Sequence, residues 1–164
     1  MDSEVSKALK FNPNTFKVNE IFASIQGEGV NTGAPSIFVR LALCNLQCKK
    51  CDSGFTWNFI GTNFEHIDNK KYDPRTEIKE MTLDELAGTI KKLANKNGWN
   101  SLTGYAINHV VITGGEPLLH LKTLKNQELF KKLLVILKTY RFHIEIETNG
   151  TIIPPEDIVK LVDQ

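Results

Sequence analysis

Cys44, Cys48 and Cys51 are the only cysteines of the 164-residue chain, and they stand as C-x-x-x-C-x-x-C. Thiolates are soft ligands suited to zinc, copper(I) or iron–sulfur clusters. A closed structural zinc site takes four protein ligands. Three cysteines fall one short of that, but they suit a 4Fe–4S cluster with one iron left open, where chemistry can occur. Two other readings compete. A remote histidine such as His66 could complete a zinc site. A disulfide plus an odd thiol is disfavoured, because nothing at the start of the chain reads as a secretory signal.

The elements around the cysteines place them at the edge of a sheet. Lys17–Ile25 reads as a short strand running into the glycine-punctuated turn Gln26-Gly27-Glu28-Gly29, where backbone and ligand can approach closely. After a second loop, Asn31–Pro35, the apolar run Ser36–Leu43 predicts a strand covered on both faces. Arg40 interrupts that run, and a buried arginine requires either a structural carboxylate or an anionic ligand. Residue types alone favour the structural carboxylate. The cysteines follow directly. Gly54–Glu80 is irregular, and its aromatics (Phe55, Trp57, Phe59, Phe64, Tyr72) read as packing under a long loop before they read as a shield for a cluster.

Downstream, Thr82–Asn97 predicts a helix with a Thr82/Glu85 capping box and Gly98 as its stop. His109–Thr113 predicts a buried strand ending in Gly114-Gly115-Glu116-Pro117. A helix over Gln127–Tyr140 precedes the alternating strand Phe142–Glu147, which sets Phe142, Ile144 and Ile146 against His143, Glu145 and Glu147. That strand ends in Thr148-Asn149-Gly150-Thr151, and Pro154-Pro155 opens a final helix. Strands alternating with helices imply parallel βα units, whose ligands gather beyond the carboxyl ends of the strands. The cysteine loop, the Gly114–Pro117 turn and the Glu147–Gly150 turn all fall there.

Composition bounds the setting. A formal net charge of +1 supplies no electrostatic case for nucleic acid or a membrane surface. No apolar run approaches the roughly 20 residues of a membrane span. The polar Met1–Lys10 segment lacks a signal peptide, which points to a reducing cytoplasm.

The cysteine spacing together with Gly114-Gly115-Glu116-Pro117 resembles the radical S-adenosylmethionine (SAM) superfamily. A narrower resemblance starts at Val18 and covers Asn19–Phe22, Ser24–Gly29, Gly33–Leu41, Cys51-Asp52-Ser53 and Glu147–Thr151. Those stretches are similar to the 7-carboxy-7-deazaguanine synthase family, carbon–nitrogen lyases of queuosine and other 7-deazapurine biosynthesis. The resemblance implies a single domain over residues 1–164, a partial parallel β/α barrel behind a polar segment 1–16, with the family's C-terminal strands missing. An open parallel edge left by that shortening would be prone to association.

It also implies roles. Cys44, Cys48 and Cys51 would hold the cluster. Ile25, Gln26 and Gly27, with Glu28, would hold a pterin ring, and Thr113 would face it. Arg40 would grip the substrate carboxylate, and it counts with Glu28 as catalytic. Gly114, Gly115, Glu116, Glu147, Thr148 and Asn149 would contact SAM, with the backbone near Lys50, Cys51 and Asp52. Ser53 stands where the family usually carries a Mg²⁺-binding threonine, and its hydroxyl offers the same hard oxygen.

The implied reaction turns 6-carboxy-5,6,7,8-tetrahydropterin into 7-carboxy-7-deazaguanine with loss of ammonia, initiated by a 5′-deoxyadenosyl radical from SAM. The implied partners are the small-molecule pterin, a reducing donor such as flavodoxin and a second copy in a homodimer, without nucleic acid or membrane. The rival within the superfamily is an activating enzyme of an anaerobic ribonucleotide reductase. The rival outside it is a metal-binding remnant without activity.

Overall fold

A computed structural model of the chain describes residues 3–95 and 106–164. Gly98, the expected helix stop, and the end of the expected helix Thr82–Asn97 lie outside the described residues, as do Met1 and Asp2 of the expected N-terminal segment. The rest of that segment is not simply a polar lead-in. Ser3–Leu9 forms helix α1, and its Val5 is buried.

Five strands form one sheet. β1 (Phe16–Ile25) and β2 (Pro35–Leu41) make an antiparallel hairpin. α2 (Pro74–Glu77) leads into β3 (Lys79–Met81), which pairs antiparallel with the start of β1. α3 (Leu83–Asn95), β4 (His109–Gly114), α4 (Leu124–Thr139), β5 (His143–Ile146) and α5 (Glu156–Val159) follow. The strand order is β3-β1-β2-β4-β5, with β2, β4 and β5 parallel. The expected parallel βα units therefore hold for three strands only. β1 reverses because the short Gln26–Ala34 loop joins adjacent strands, whereas a parallel neighbour needs a long crossover.

Period-2 alternation splits the sheet into two unlike faces. The rungs Ala23–Ile37–Val110–Ile144 and Ile21–Val39–Ile112–Ile146 point outward. Apart from the exposed Ala23, they pack into the core with Leu86 and Ile90 of α3 and with Phe130, Leu133, Leu134 and Leu137 of α4. The Thr82/Glu85 box starts α3 as expected, with the Thr82 amide donating to Glu85 at 2.8 Å. The other face carries Ser24–Ser36–His109–His143, Phe22–Phe38–Val111–Glu145 and Glu20–Arg40–Thr113. The chain thus has one apolar face for packing and one largely polar, concave face for chemistry.

Two peripheral segments complete the frame. Lys71 organises the irregular stretch by donating to Asn58 Oδ1 at 2.8 Å, to the Thr62 carbonyl at 3.1 Å and to the Phe64 carbonyl. Trp57 and Phe59 are buried there, so these aromatics pack as expected. The β5 edge is not left bare. The Asp163 amide donates to Ile144 O at 2.8 Å, and Ile146 donates to Gln164 O at 2.8 Å.

Candidate functional site

At the carboxyl end of β4 the chain must pass against the end of β2. Gly115 N donates to Leu41 O at 3.0 Å and Glu116 N to Leu43 O at 2.8 Å. A Cβ on Gly114 would run into the Leu41 carbonyl, and one on Gly115 into that of Leu43. Gly114 also has φ of +133°, a region closed to most side chains. The pair of glycines is thus demanded by the close crossing of two backbones. Leu43, at φ of +78°, takes the left-handed conformation at the start of the cysteine loop.

Glu116 sits behind this crossing, fully buried. Its carboxylate accepts from Leu118 N at 2.8 Å, from Asn149 N at 2.8 Å and from Thr148 Oγ1, which lies 2.9 Å from both oxygens. Four protein contacts occupy both oxygens. Glu116, expected to touch a cofactor, is instead a clamp tying the turn after β4 to the turn after β5. Burial of a charge is tolerable here because every oxygen has donors.

A cavity of about 390 Å³ opens in front of that clamp. Gln26, Gly27 and Glu28 line it from the hairpin, Phe38 and Arg40 from β2, and Asp52 and Ser53 from the cysteine loop. Thr113, Gly114 and Gly115 close it after β4, with Glu147, Thr148 and Asn149 after β5. Twelve of these residues are among those picked out from sequence. Ile25 is not with them: its side chain is 57% exposed on the hairpin. Lys50 is exposed too, and it lies in a separate depression with Lys49, Glu65 and His66.

Arg40 has the structural carboxylate that residue types favoured. Its Nε donates to Glu20 at 2.9 Å, and its guanidinium lies 5.9 Å from the Phe22 ring and 5.6 Å from that of Phe55. Two rings and one carboxylate hold the group in orientation, and the Nε bond leaves the terminal fork out of account. Sequence reasoning gave Glu20 no role of its own beside Arg40. Its only signal was its place on the Arg40 face of β1, which depends on knowing the hairpin register.

The three cysteines stand beside the cavity as free thiols, Cys48 exposed and Cys44 and Cys51 half-buried. Leu46 N donates to Cys44 Sγ at 3.4 Å and Asn149 Nδ2 lies 3.9 Å from it, the donors a bound thiolate wants. Burial pushes the Cys44 thiol above its ordinary pKa, opposed by the Leu46 amide. Ser53 Oγ lies 3.4 Å from Cys51 Sγ, on the cavity side. Among the described residues no three His, Cys, Asp or Glu side chains converge on one ion. A cubane places its three thiolates on three different irons, so it does not require such convergence, and the donor set fits it.

His66 is occupied elsewhere. Its Nδ1 meets Asp68 Oδ1 at 2.6 Å and its Nε2 meets the Cys51 carbonyl at 2.7 Å. A carbonyl can only accept, so Nε2 carries a hydrogen. The bond to Asp68 and then that carbonyl raise the imidazole's pKa. This histidine braces the cysteine loop and is not posed as a fourth metal ligand.

The radical SAM superfamily profile matches residues 39–164. The chain is 37% identical over 139 residues to 7-carboxy-7-deazaguanine synthase of Buchnera aphidicola, covering 83% of this chain and 55% of that protein. It is 31% identical over 147 residues to the synonymous protein of Pyrobaculum aerophilum, covering 90% of this chain and 51% of the relative. The crystal structure of QueE from Escherichia coli superposes with a TM-score of 0.55 at 31% identity, over 84% of this chain and 54% of that one. The chain therefore spans about half the length of the curated relatives it matches.

Proposed function

The chain belongs to the radical SAM superfamily, and on that premise we propose that it works on 6-carboxy-5,6,7,8-tetrahydropterin, yielding 7-carboxy-7-deazaguanine and ammonia. A cluster on Cys44, Cys48 and Cys51, with SAM at its open iron, would supply the one-electron chemistry that starts the reaction. The protein's own part is binding, orientation and exclusion of water. The observation that carries this reading is the shared cavity. Five separate segments deliver Gln26–Glu28, Arg40, Asp52–Ser53, Thr113–Gly115 and Glu147–Asn149 to one wall.

Each group has a task that its chemistry suits. Arg40, held by Glu20, Phe22 and Phe55, meets the substrate carboxylate with its planar fork. The Gln26–Gly27 backbone and the Glu28 carboxylate face the hydrogen-bonding edge of the pterin, with Thr113 beside it. Gly115, Glu147, Thr148 and Asn149 border SAM, and the Lys50–Asp52 backbone flanks it. Glu28, Asp52 and Glu147 outnumber Arg40 on the wall, so an incoming carboxylate benefits from a second cation. Mg²⁺ suits that place, with the Ser53 hydroxyl as one hard ligand and substrate oxygen and water as others. A reduced cytoplasmic setting, a flavodoxin-type donor and a homodimer complete the proposal.

The test is anaerobic reconstitution followed by incubation with the carboxypterin, SAM and a reductant. Formation of 7-carboxy-7-deazaguanine supports the reading. No pterin turnover, with a glycyl radical raised on a partner protein, overturns it. Arg40→Ala is expected to abolish turnover while leaving the iron content and SAM binding intact. Loss of the cluster in that variant would show that Arg40 serves the fold instead.

A further inference from the structure

Behind the cavity the concave face holds a second polar assembly that the proposed chemistry leaves unused. The sheet register sets Ser36, His109 and His143 side by side at the start of β2, β4 and β5, with Glu145 two residues further along β5. Ser36, His109 and Glu145 are 0%, 4% and 4% exposed. Ser36 donates its one hydroxyl hydrogen to Ala34 O at 2.9 Å. Its oxygen must therefore accept from His109 Nδ1, 2.8 Å away, which fixes a hydrogen on that nitrogen.

The opposite nitrogen, Nε2, is buried without a hydrogen bond, yet it lies 3.2 Å from Glu145 Oε2. Were both groups deprotonated, two lone pairs would face each other in a buried site. One proton between them removes that conflict, on the imidazole or on the carboxyl. Other charged groups bear on the histidine: Glu145 and Asp163 favour its charged form, while His143 and, above all, burial oppose it.

Glu145 also reaches the cavity. Its Oε1 accepts from Gln26 Nε2 at 2.6 Å, and its Oε2 from Asn31 Nδ2 at 2.8 Å. The same Gln26 Nε2 donates to Glu147 Oε1 at 3.0 Å, and Gln26 Oε1 accepts from the Glu28 amide at 3.2 Å. An amide group between two carboxylates on one side and an N–H on the other has only one chemically sensible orientation. A chain of contacts thus runs from His109 through Glu145 and Gln26 to two residues of the cavity wall.

We propose that His109 and Glu145 share one proton and act as a positioning pair, setting through Gln26 the Glu147 carboxylate and the Glu28 backbone on the cavity wall. The consequence for catalysis rests on the proposed function, but the pairing itself does not. Neither residue touches the cavity. Loss of the shared proton as the pH rises opposes the two lone pairs, parts the pair and frees Gln26.

Amide hydrogen exchange of the full chain without its cluster tests this, read by mass spectrometry over the 26–31 segment from about pH 5 to about pH 9, after correction for the chemical exchange rate. In the native chain, protection of the segment falls toward high pH. Glu145→Gln sets an amide N–H₂ against the Gln26 or Asn31 donor, and protection drops about tenfold, the loss of roughly one net hydrogen bond. His109→Gln places a donor where Nε2 stood but cannot titrate, so protection persists and the high-pH fall disappears. His109→Leu lowers protection at every pH. β4 and α4 serve as controls; should Glu145→Gln disturb them, the two His109 variants decide alone. A pH-independent native profile, or identical behaviour of His109→Gln and His109→Leu, overturns the proposal. Calorimetry with 6-carboxy-5,6,7,8-tetrahydropterin adds a separate reading. About tenfold weaker binding in Glu145→Gln extends the pair's role to the ligand. If the native chain binds no pterin, the proposed function fails while the exchange experiment still judges the pair.

Discussion

The corner made by Gly114–Pro117 and Glu147–Gly150 borders the same cavity as the cysteine loop Cys44–Ser53, yet the two are built in opposite ways. In the corner a buried carboxylate, Glu116, takes hydrogen bonds from Leu118, Thr148 and Asn149, so its shape needs no ligand. In the cysteine loop Asn45–Lys50 are all exposed, and the thiols have few protein donors. The loop is anchored at its ends, by Leu43 N to Thr56 O at 2.8 Å and by His66 to the Cys51 carbonyl at 2.7 Å. Between them it is held by Asn45 Nδ2 to Thr151 Oγ1 at 2.7 Å and by Ile67 N to Lys49 O at 2.8 Å, and none of these contacts involves a thiol. The lesson is a division of labour: the protein builds one wall of the cavity from its own hydrogen bonds, and leaves the three thiols beside it, one exposed and two half-buried, free for ligation.

Breaking the clamp should therefore cost far more than emptying the loop. Glu116→Ala leaves the buried Leu118 amide and the part-buried Asn149 amide and Thr148 hydroxyl without their acceptor, and about 3–4 kcal/mol of stability is expected to go, measured by urea denaturation of the cluster-free chain. A loss below about 1 kcal/mol would mean that the corner is not self-supporting.

Acid comes next, through a group under the junction. His120 is buried beside the Ala42 carbonyl at 3.4 Å, between Phe11 and Phe16, and burial lowers its pKa to about 4. Its unfolded value lies higher, near 6.5, so the unfolded chain binds the extra proton first. This histidine thus costs no stability above about pH 6.5 and up to about 3 kcal/mol as the pH falls toward 4. Denaturation midpoints measured at neutral and mildly acidic pH should show that slope in the native chain, and a flatter one in His120→Phe.

Gly115→Ala joins the two regions, because its new Cβ meets the Leu43 carbonyl at the loop's start. About 2 kcal/mol of destabilisation is expected, with lower iron uptake on reconstitution. Normal uptake at reduced stability would show that the crossing serves the fold alone. The smallest effect belongs to the loop: replacing Cys48, exposed in the cluster-free chain, by serine should change stability by less than about 0.5 kcal/mol yet abolish cluster assembly, read from iron content and optical spectra.

How much of this was legible in the residue order varied with the distance over which partners meet. The cysteine triplet, the Thr82/Glu85 cap and the alternation of Phe142–Glu147 are local signals, and each survives in the structure. β3 was missed because three residues, Lys79–Met81, carry no period long enough to recognise. The reversed direction of β1 was missed too, since alternation reports faces and says nothing of strand polarity. The residues of the candidate site were named mostly from a resemblance, and their supports were not. Glu20, Phe22 and Phe55 around Arg40, and Glu145 beneath Gln26, enter only through pairing and folding of the sheet.

By itself the sequence determined the ligand chemistry of three thiols eight positions wide, the outward apolar stripe and the glycines at the strand ends, because spacing along a chain dictates them. Only the tertiary structure decided that Glu116 faces inward as a clamp, that Arg40 has a carboxylate of its own and that His109 meets Glu145. Those roles depend on side chains brought together across long stretches of chain, where burial, and no local preference, sets which groups must satisfy one another.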